Sequence, residues 1–221
     1  MKGAEILSHV DHTLLKPTAT WQQIKELCRE AIACQTASVC IPASYVARVH
    51  EEYGEKINIC TVIGFPLGYD SKEAKITAAA QAIQDGAKEV DMVINIGDAK
   101  NGDFKKITEE IAAIKKAVGN NILKVIVETC YLTDEEKKAL CQCVTEAKAD
   151  FIKTSTGFGT GGATHEDIRL FAAHIGPKVK MKAAGGIRTL EDMKQYLAEG
   201  CERIGASAAV GLLKDKMDSE V

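Results

Sequence analysis

The 221-residue chain is 46% hydrophobic and 27% charged, with a net charge of −3. That balance suits one globular protein with a sizeable core, and it excludes the bulk attraction on which nucleic-acid and anionic-membrane binders rely. Residues Met1 to His9 lack the apolar region of a secretory signal, and no stretch reaches the roughly 18 uncharged apolar residues of a membrane span, so a cytoplasmic protein is expected.

In chain order, strand patterns lie near residues 9–14, 37–41, 57–63, 89–95, 123–128, 150–153, 178–183 and 202–205. Helical patterns lie near 20–33, 43–52, 71–85, 104–118, 133–147, 165–174, 189–198 and 207–214. Thr133 with Glu136, and Thr189 with Asp192, mark helix starts, because a threonine side chain caps the amide three residues on. One pattern recurs at 33–40, 84–91, 146–153 and 199–205, where a helix ends at small residues and a strand follows at once. Alternating strands and helices imply a parallel sheet. Eight units of roughly 28 residues approach the roughly 30 of a βαβ unit. A single-domain α/β protein, a (β/α)8 TIM barrel over residues 1–221, therefore fits better than an open sheet. Chemistry is expected at the C-terminal ends of its strands.

The eight cysteines form no CxxC pair, and Cys141 and Cys143 point in different directions on a predicted helix. Reduced thiols acting as small hydrophobes are expected. The five histidines show no HxxxH or HExxH spacing, so no metal site is expected.

Strand side chains alternate. In strand four, Val90, Met92 and Ile94 suit packing against outer helices, which turns Glu89, Asp91, Val93 and Asn95 inward. In strand seven, Val179 and Met181 face out while Lys178, Lys180 and Lys182 share the inner face; Phe151 and Lys153 share a face of strand six. Asp11 and Thr13 lie together on strand one. The barrel is thus expected to collect Lys153, Lys182 and Lys180 with Asp91 and Asp11 at one end. Each residue has a plainer reading as a surface or salt-bridging group. Charge on the inner faces of several strands at once is harder to explain that way, since a buried charge is costly unless paired.

A lysine amine is a nucleophile only when neutral, about one in 10³ to 10⁴ molecules at pH 7 for an ordinary lysine. A second cation nearby, or burial, raises that fraction. The amine can then attack an aldehyde and form an iminium, an electron sink for making or breaking a carbon–carbon bond without a metal. A carboxylate such as Asp91 can relay protons. Thr154 to Gly162, Gly185-Gly186 and Gly205-Ala206-Ser207 follow three consecutive strands, where barrels often bind phosphate on backbone N–H groups. A small phosphorylated carbonyl compound is the expected substrate.

The chain resembles the deoxyribose-phosphate aldolase family. The resemblance is carried by Asp11-His12-Thr13-Leu14-Leu15, Ala37-Ser38-Val39-Cys40-Ile41-Pro42, Val62-Ile63-Gly64-Phe65-Pro66-Leu67-Gly68, Glu89-Val90-Asp91-Met92-Val93-Ile94-Asn95, Phe151-Ile152-Lys153-Thr154-Ser155-Thr156-Gly157-Phe158, Lys182-Ala183-Ala184-Gly185-Gly186-Ile187-Arg188 and Arg203-Ile204-Gly205-Ala206-Ser207. It implies a class I, Schiff-base aldehyde-lyase that reversibly cleaves 2-deoxy-D-ribose 5-phosphate to D-glyceraldehyde 3-phosphate and acetaldehyde, in deoxyribose phosphate catabolism. It implies Lys153 as the Schiff-base lysine, Lys182 as the neighbour that perturbs it, and Asp91 as the proton donor and acceptor. It implies phosphate against Gly157, Phe158, Gly185, Gly186 and Ser207, with Asp11 and Thr154 as supporting polar contacts. No cofactor, a cytoplasmic location and a homodimer are implied as well.

Two departures stand out. Some members end in a mobile tail with a tyrosine that assists proton transfer; residues Lys214 to Val221 contain none, so water does that work or turnover is slower. Some carry a lysine where Phe158 stands and a second serine where Ala208 stands, so phosphate recognition is expected to rest more on backbone groups. A Schiff-base transaldolase or a sugar-phosphate isomerase would lack the twin lysines beside the strand-four acid, and a non-catalytic sugar-phosphate sensor would need the pocket without a reactive amine.

Overall fold

The computed structural model describes residues 1–221. Eight parallel strands close into a barrel in sequence order: β1 (Val10–Thr13), β2 (Ser38–Ile41), β3 (Ile59–Ile63), β4 (Glu89–Val93), β5 (Ile122–Ile126), β6 (Phe151–Lys153), β7 (Lys180–Ala184) and β8 (Cys201–Gly205). β8 pairs back onto β1, with Val10 opposite Ile204 and Asp11 opposite Gly205. The fold is the single-domain TIM barrel that the strand–helix alternation predicts.

The helices are α1 (Gly3–Leu7), α2 (Trp21–Cys34), α3 (Val46–Tyr53), α4 (Lys72–Gln84), α5 (Ile96–Lys100), α6 (Phe104–Val118), α7 (Asp134–Glu146), α8 (His165–His174), α9 (Leu190–Ala198) and α10 (Ala209–Leu213). Eight of them match the predicted helices. α1 and α5, five residues each, have no counterpart among the predicted helices. No helix is long and apolar enough to cross a membrane.

The recurring helix-to-strand pattern has a common geometry. Just past the ends of α2, α4, α7 and α9, residues Gln35, Gly86, Lys148 and Gly200 all take positive φ. The left-handed residue ends each helix and turns the chain into the next strand. Thr133 and Glu136 form the expected capping box on α7, and the Thr189 side chain accepts from the Asp192 amide on α9.

The apolar core lies between the barrel and the helices. Val90, Met92, Leu123, Val125, Ile152, Met181 and Ile204 face outward into it. The inward faces of β4 to β8 are thereby left to a different set of side chains, most of them charged. Lys180 is the exception among the predicted inward lysines. It begins β7, at the opposite end of the barrel from the site, is exposed, and pairs with Glu202 at 2.7 Å. Alternation alone fixes which face a residue occupies but not its height along the strand.

One further charge pair is buried outside the barrel. Lys75 of α4 is fully buried and donates to the Val93 carbonyl at 2.9 Å and to both Glu110 carboxylate oxygens, at 3.1 and 3.0 Å. It ties α4 and α6 to the end of β4. Lys75→Met strands the Glu110 charge and is expected to lower the unfolding free energy by about 3–5 kcal/mol. In urea denaturation, the double change Lys75→Met/Glu110→Leu should recover most of that loss. A cost near zero for the single change would mean that water reaches the pair.

Candidate active site

Seven charged side chains fill the inside of the barrel. Asp91 and Lys124 face each other across β4 and β5, and Lys153 and Lys182 across β6 and β7; the second pair stands one inward position further along, with Lys124 opposite Phe151 and Ile126 opposite Lys153. Glu89 lies one layer below on β4, and Asp11 enters from β1. Arg203 enters from β8 through a register shift at Met181/Lys182, which pairs Lys182 with Arg203 after Met181 has paired with Cys201. The extra residue lets Cys201 and Ile204 both join the outer core while Arg203 turns inward.

The pairing is dense. Asp91 Oδ2 accepts from Lys153 Nζ at 2.7 Å and from Lys182 Nζ at 2.8 Å; Asp91 Oδ1 accepts from Lys124 Nζ at 2.8 Å and the Cys60 thiol at 3.2 Å. Lys182 also donates to Asp11 Oδ2 at 2.5 Å. Arg203 forks onto Glu89 at 2.8 and 2.9 Å and reaches Asp11 at 2.7 Å. Lys124 completes the net at 2.6 Å from Glu89.

Burial by itself would favour the neutral form of each group. Burial opposes ionisation of Asp91 and Asp11, yet the neighbouring cations, Lys124 foremost, outweigh it and hold both carboxyls well below the usual range. Burial likewise opposes charge on Lys182, and Asp11 and Asp91 outweigh it, holding the ammonium above the ordinary lysine range. Lys182 is therefore a fixed cation rather than a second reactive amine. Lys124 is held charged in the same way, against burial, by Asp11 and Asp91.

Donor atoms of Cys40, Cys60 and Asp91 lie within 4.8 Å of one another, as do those of Asp11, Cys60 and Glu89. Every member but Cys40 is already in use on an organic cation. The Lys124 ammonium sits 3.3 Å from Cys60 Sγ and within hydrogen-bond reach of Asp91 and Glu89. A metal there would have to displace it. All eight cysteines are free.

Above the net, a cavity of about 530 Å³ opens among the loops that follow β1, β6, β7 and β8. Of the cluster lysines only Lys153 lines it; Lys124 and Lys182 lie beneath. Gly157, Phe158, Gly185, Gly186 and Ser207 also line it. The amides of Gly185, Gly186 and Ser207 donate no hydrogen bond within the protein. Gly185 has φ +87°, and a Cβ on facing Gly162 would lie 2.3 Å from the Gly185 carbonyl oxygen, so these two loops can close on each other only as glycines. Lys16 and Arg188 are the other cations on the wall.

Asp11 and Thr154 are not on the cavity wall. Asp11 is fully buried against Lys182 and Arg203, with the Ser38 hydroxyl donating to it at 2.8 Å. Thr154 Oγ1 donates to the Ala184 carbonyl at 3.0 Å and accepts from the Ala184 amide at 3.1 Å, pinning the residue before Gly185. Sequence reading missed Lys124 and Arg203 and left Glu89 without a role. Lys124 carries the same signal as its neighbours, one charge inside the apolar run Ile122 to Ile126. Arg203 carried none that alternation could use, because the bulge shifts its strand.

Such a net suits chemistry at one cavity-facing amine beside a fixed carboxylate and a fixed cation. The family model of DeoC/LacD aldolases matches residues 6–215. The chain is 67% identical over 214 residues to the deoxyribose-phosphate aldolase of Clostridium botulinum (strain Alaska E43 / Type E3), covering 97% of each protein. It is 54% identical over 211 residues to that of Clostridioides difficile (strain 630), covering 96% of each. Among solved structures it superposes on the tetrameric deoxyribose phosphate aldolase from Aeropyrum pernix with a TM-score of 0.90, at 29% identity, over 96% of this chain and 91% of that one.

Proposed function

The chain belongs to the DeoC/LacD family of aldolases, and from that premise we propose how its buried charge net carries out the reaction. Its activity is that of a deoxyribose-phosphate aldolase, a lyase. Neutral Lys153 attacks the aldehyde carbon of open-chain 2-deoxy-D-ribose 5-phosphate. Loss of water gives an iminium. The C3 hydroxyl gives up its proton, the C2–C3 bond breaks, and its electron pair passes into the iminium to leave an enamine. D-Glyceraldehyde 3-phosphate departs, and protonation and hydrolysis of the enamine release acetaldehyde and the free amine.

One observation carries the choice of Lys153: it is the cluster lysine that reaches the cavity while hydrogen-bonding Asp91. Charge counting agrees. Lys124, Lys182 and Arg203 balance Asp11, Glu89 and Asp91, three against three, which leaves Lys153 as the side chain the net can lend to chemistry. Asp91, held ionised, orients the amine through its hydrogen bond and guides protons through water during carbon–carbon cleavage. Lys182 keeps that carboxylate fixed. The unbonded amides of Gly185, Gly186 and Ser207, with the backbone of Gly157 and Phe158, hold the phosphate. Lys16 and Arg188 supply the positive charge that an aromatic side chain at Phe158 does not. The enzyme works as a homodimer in the cytoplasm, a setting that unpaired cysteines fit.

Acetaldehyde with borohydride should reduce the iminium to a stable two-carbon adduct, and peptide mapping should find it on Lys153. A non-catalytic sugar-phosphate sensor would give no adduct.

A further inference from the structure

Glu128 has no part in the charge net, yet it stands where the cavity wall is anchored. It follows β5 at the C-terminal end of the barrel, is buried, and takes a left-handed conformation (φ 58°, ψ 65°) that residues with a Cβ seldom adopt. The turn aims its carboxylate across to the loop after β6. There it accepts from the Thr156 amide at 3.1 Å and, through a short contact, from the Thr156 hydroxyl. The same hydroxyl accepts from the Phe158 amide at 3.0 Å. One carboxylate thus fixes three successive residues of the wall, since Thr156, Gly157 and Phe158 all line the cavity.

The neighbouring packing serves the same contact. A Cβ on Gly159 would lie 3.1 Å from the Glu128 carboxyl carbon and 3.0 Å from Cys130 Sγ. A side chain there would press the carboxylate and the thiol aside by a few tenths of an ångström. Phe158, held by its amide, packs edge-on against Phe65 at 5.3 Å between centroids and closes the rim. Burial pushes the Glu128 carboxyl up, and the two Thr156 hydrogen bonds and nearby Lys153 work against that shift. Backbone strain and a buried acid at one point are costly, and both are spent on the shape of a single loop.

We infer that Glu128 is a positioning residue for the phosphate-bearing end of the substrate, acting through Thr156 to hold the Thr156–Gly157–Phe158 wall against it. The inference rests on the aldolase reading above and deepens it. Glu128 does not touch the reacting carbon, so its loss should affect binding rather than the chemical step.

The test compares wild type, Glu128→Gln and Thr156→Val. Both variants should raise KM for 2-deoxyribose 5-phosphate roughly tenfold, the scale of one charge-assisted hydrogen bond, with kcat within about threefold. KM for unphosphorylated 2-deoxyribose should stay unchanged, and inhibition by inorganic phosphate should weaken by the same roughly tenfold factor. The double variant should be little worse than either single one, because the two groups act as a unit. If Glu128→Gln fails to fold, Thr156→Val decides alone. Unchanged KM in the folded variants, or a fall in kcat at constant KM, overturns the inference. Borohydride trapping of acetaldehyde on Lys153 should be normal in both variants. Its absence in wild type would instead sink the aldolase mechanism.

Discussion

Replacing Lys153 with methionine should reduce turnover by roughly 10⁴-fold or more, as loss of a covalent nucleophile does, and should abolish the borohydride adduct. The other lysines of the net cannot substitute. Lys124 and Lys182 lie below the cavity floor and are held charged by the carboxylates around them. Lys16 lines the same cavity, but it projects from the loop after β1 and has no carboxylate partner to accept its proton. Methionine matches most of the lysine stem, and its loss of charge leaves three cations facing three anions. The urea midpoint of Lys153→Met should therefore hold or rise. A variant that kept more than about a hundredth of the activity, well short of the loss expected for a nucleophile, would show that the amine is not the nucleophile. A large drop in stability would show that the fourth cation is needed structurally.

Lys182→Met should fail in a different way. Lys182 bridges Asp11 and Asp91, and without it those carboxylates turn to the remaining cations. The Asp91 carboxylate that serves the Lys153 amine then loses its fixed partner, and the trapping rate should fall by about 10²- to 10³-fold, the scale of a lost proton-transfer partner. Stability should fall by about 3–5 kcal/mol, because two buried carboxylates lose a shared partner. Here the sign follows from the carboxyl shifts. Asp11 and Asp91 are depressed in the folded protein, so the stability they contribute is present above the ordinary carboxyl range near pH 4 and drains away as pH falls below it. Lys182→Met weakens that depression, and its unfolding free energy should depend less steeply on acid than that of wild type. Trapping rates and urea melts at neutral and acid pH read both effects. A variant that traps acetaldehyde at the wild-type rate would mean that Lys182 does not support the reactive amine.

The fold was legible because its signals are local and repeated. Helix-ending positions such as Gly86 and Gly200, and caps such as Thr133, announce each turn of chain within a few residues. Lys153, Lys182 and Asp91 were legible for a related reason: each interrupts an apolar run, and strand alternation turns it inward. Lys180 shows the limit of that reasoning. It has the same parity as Lys182, yet one layer lower it leaves the barrel for solvent.

Sequence alone determined the strand–helix repeat, the barrel, and the inward placing of Asp11, Asp91, Lys153 and Lys182, because periodicity is written along the chain. Only the tertiary structure decided which lysine meets the cavity, that Arg203 joins the net through a bulge, and that Glu128 reaches across to Thr156. Those facts depend on register and height between strands far apart in sequence. Closure of the barrel sets them through hydrogen bonds that no single segment encodes.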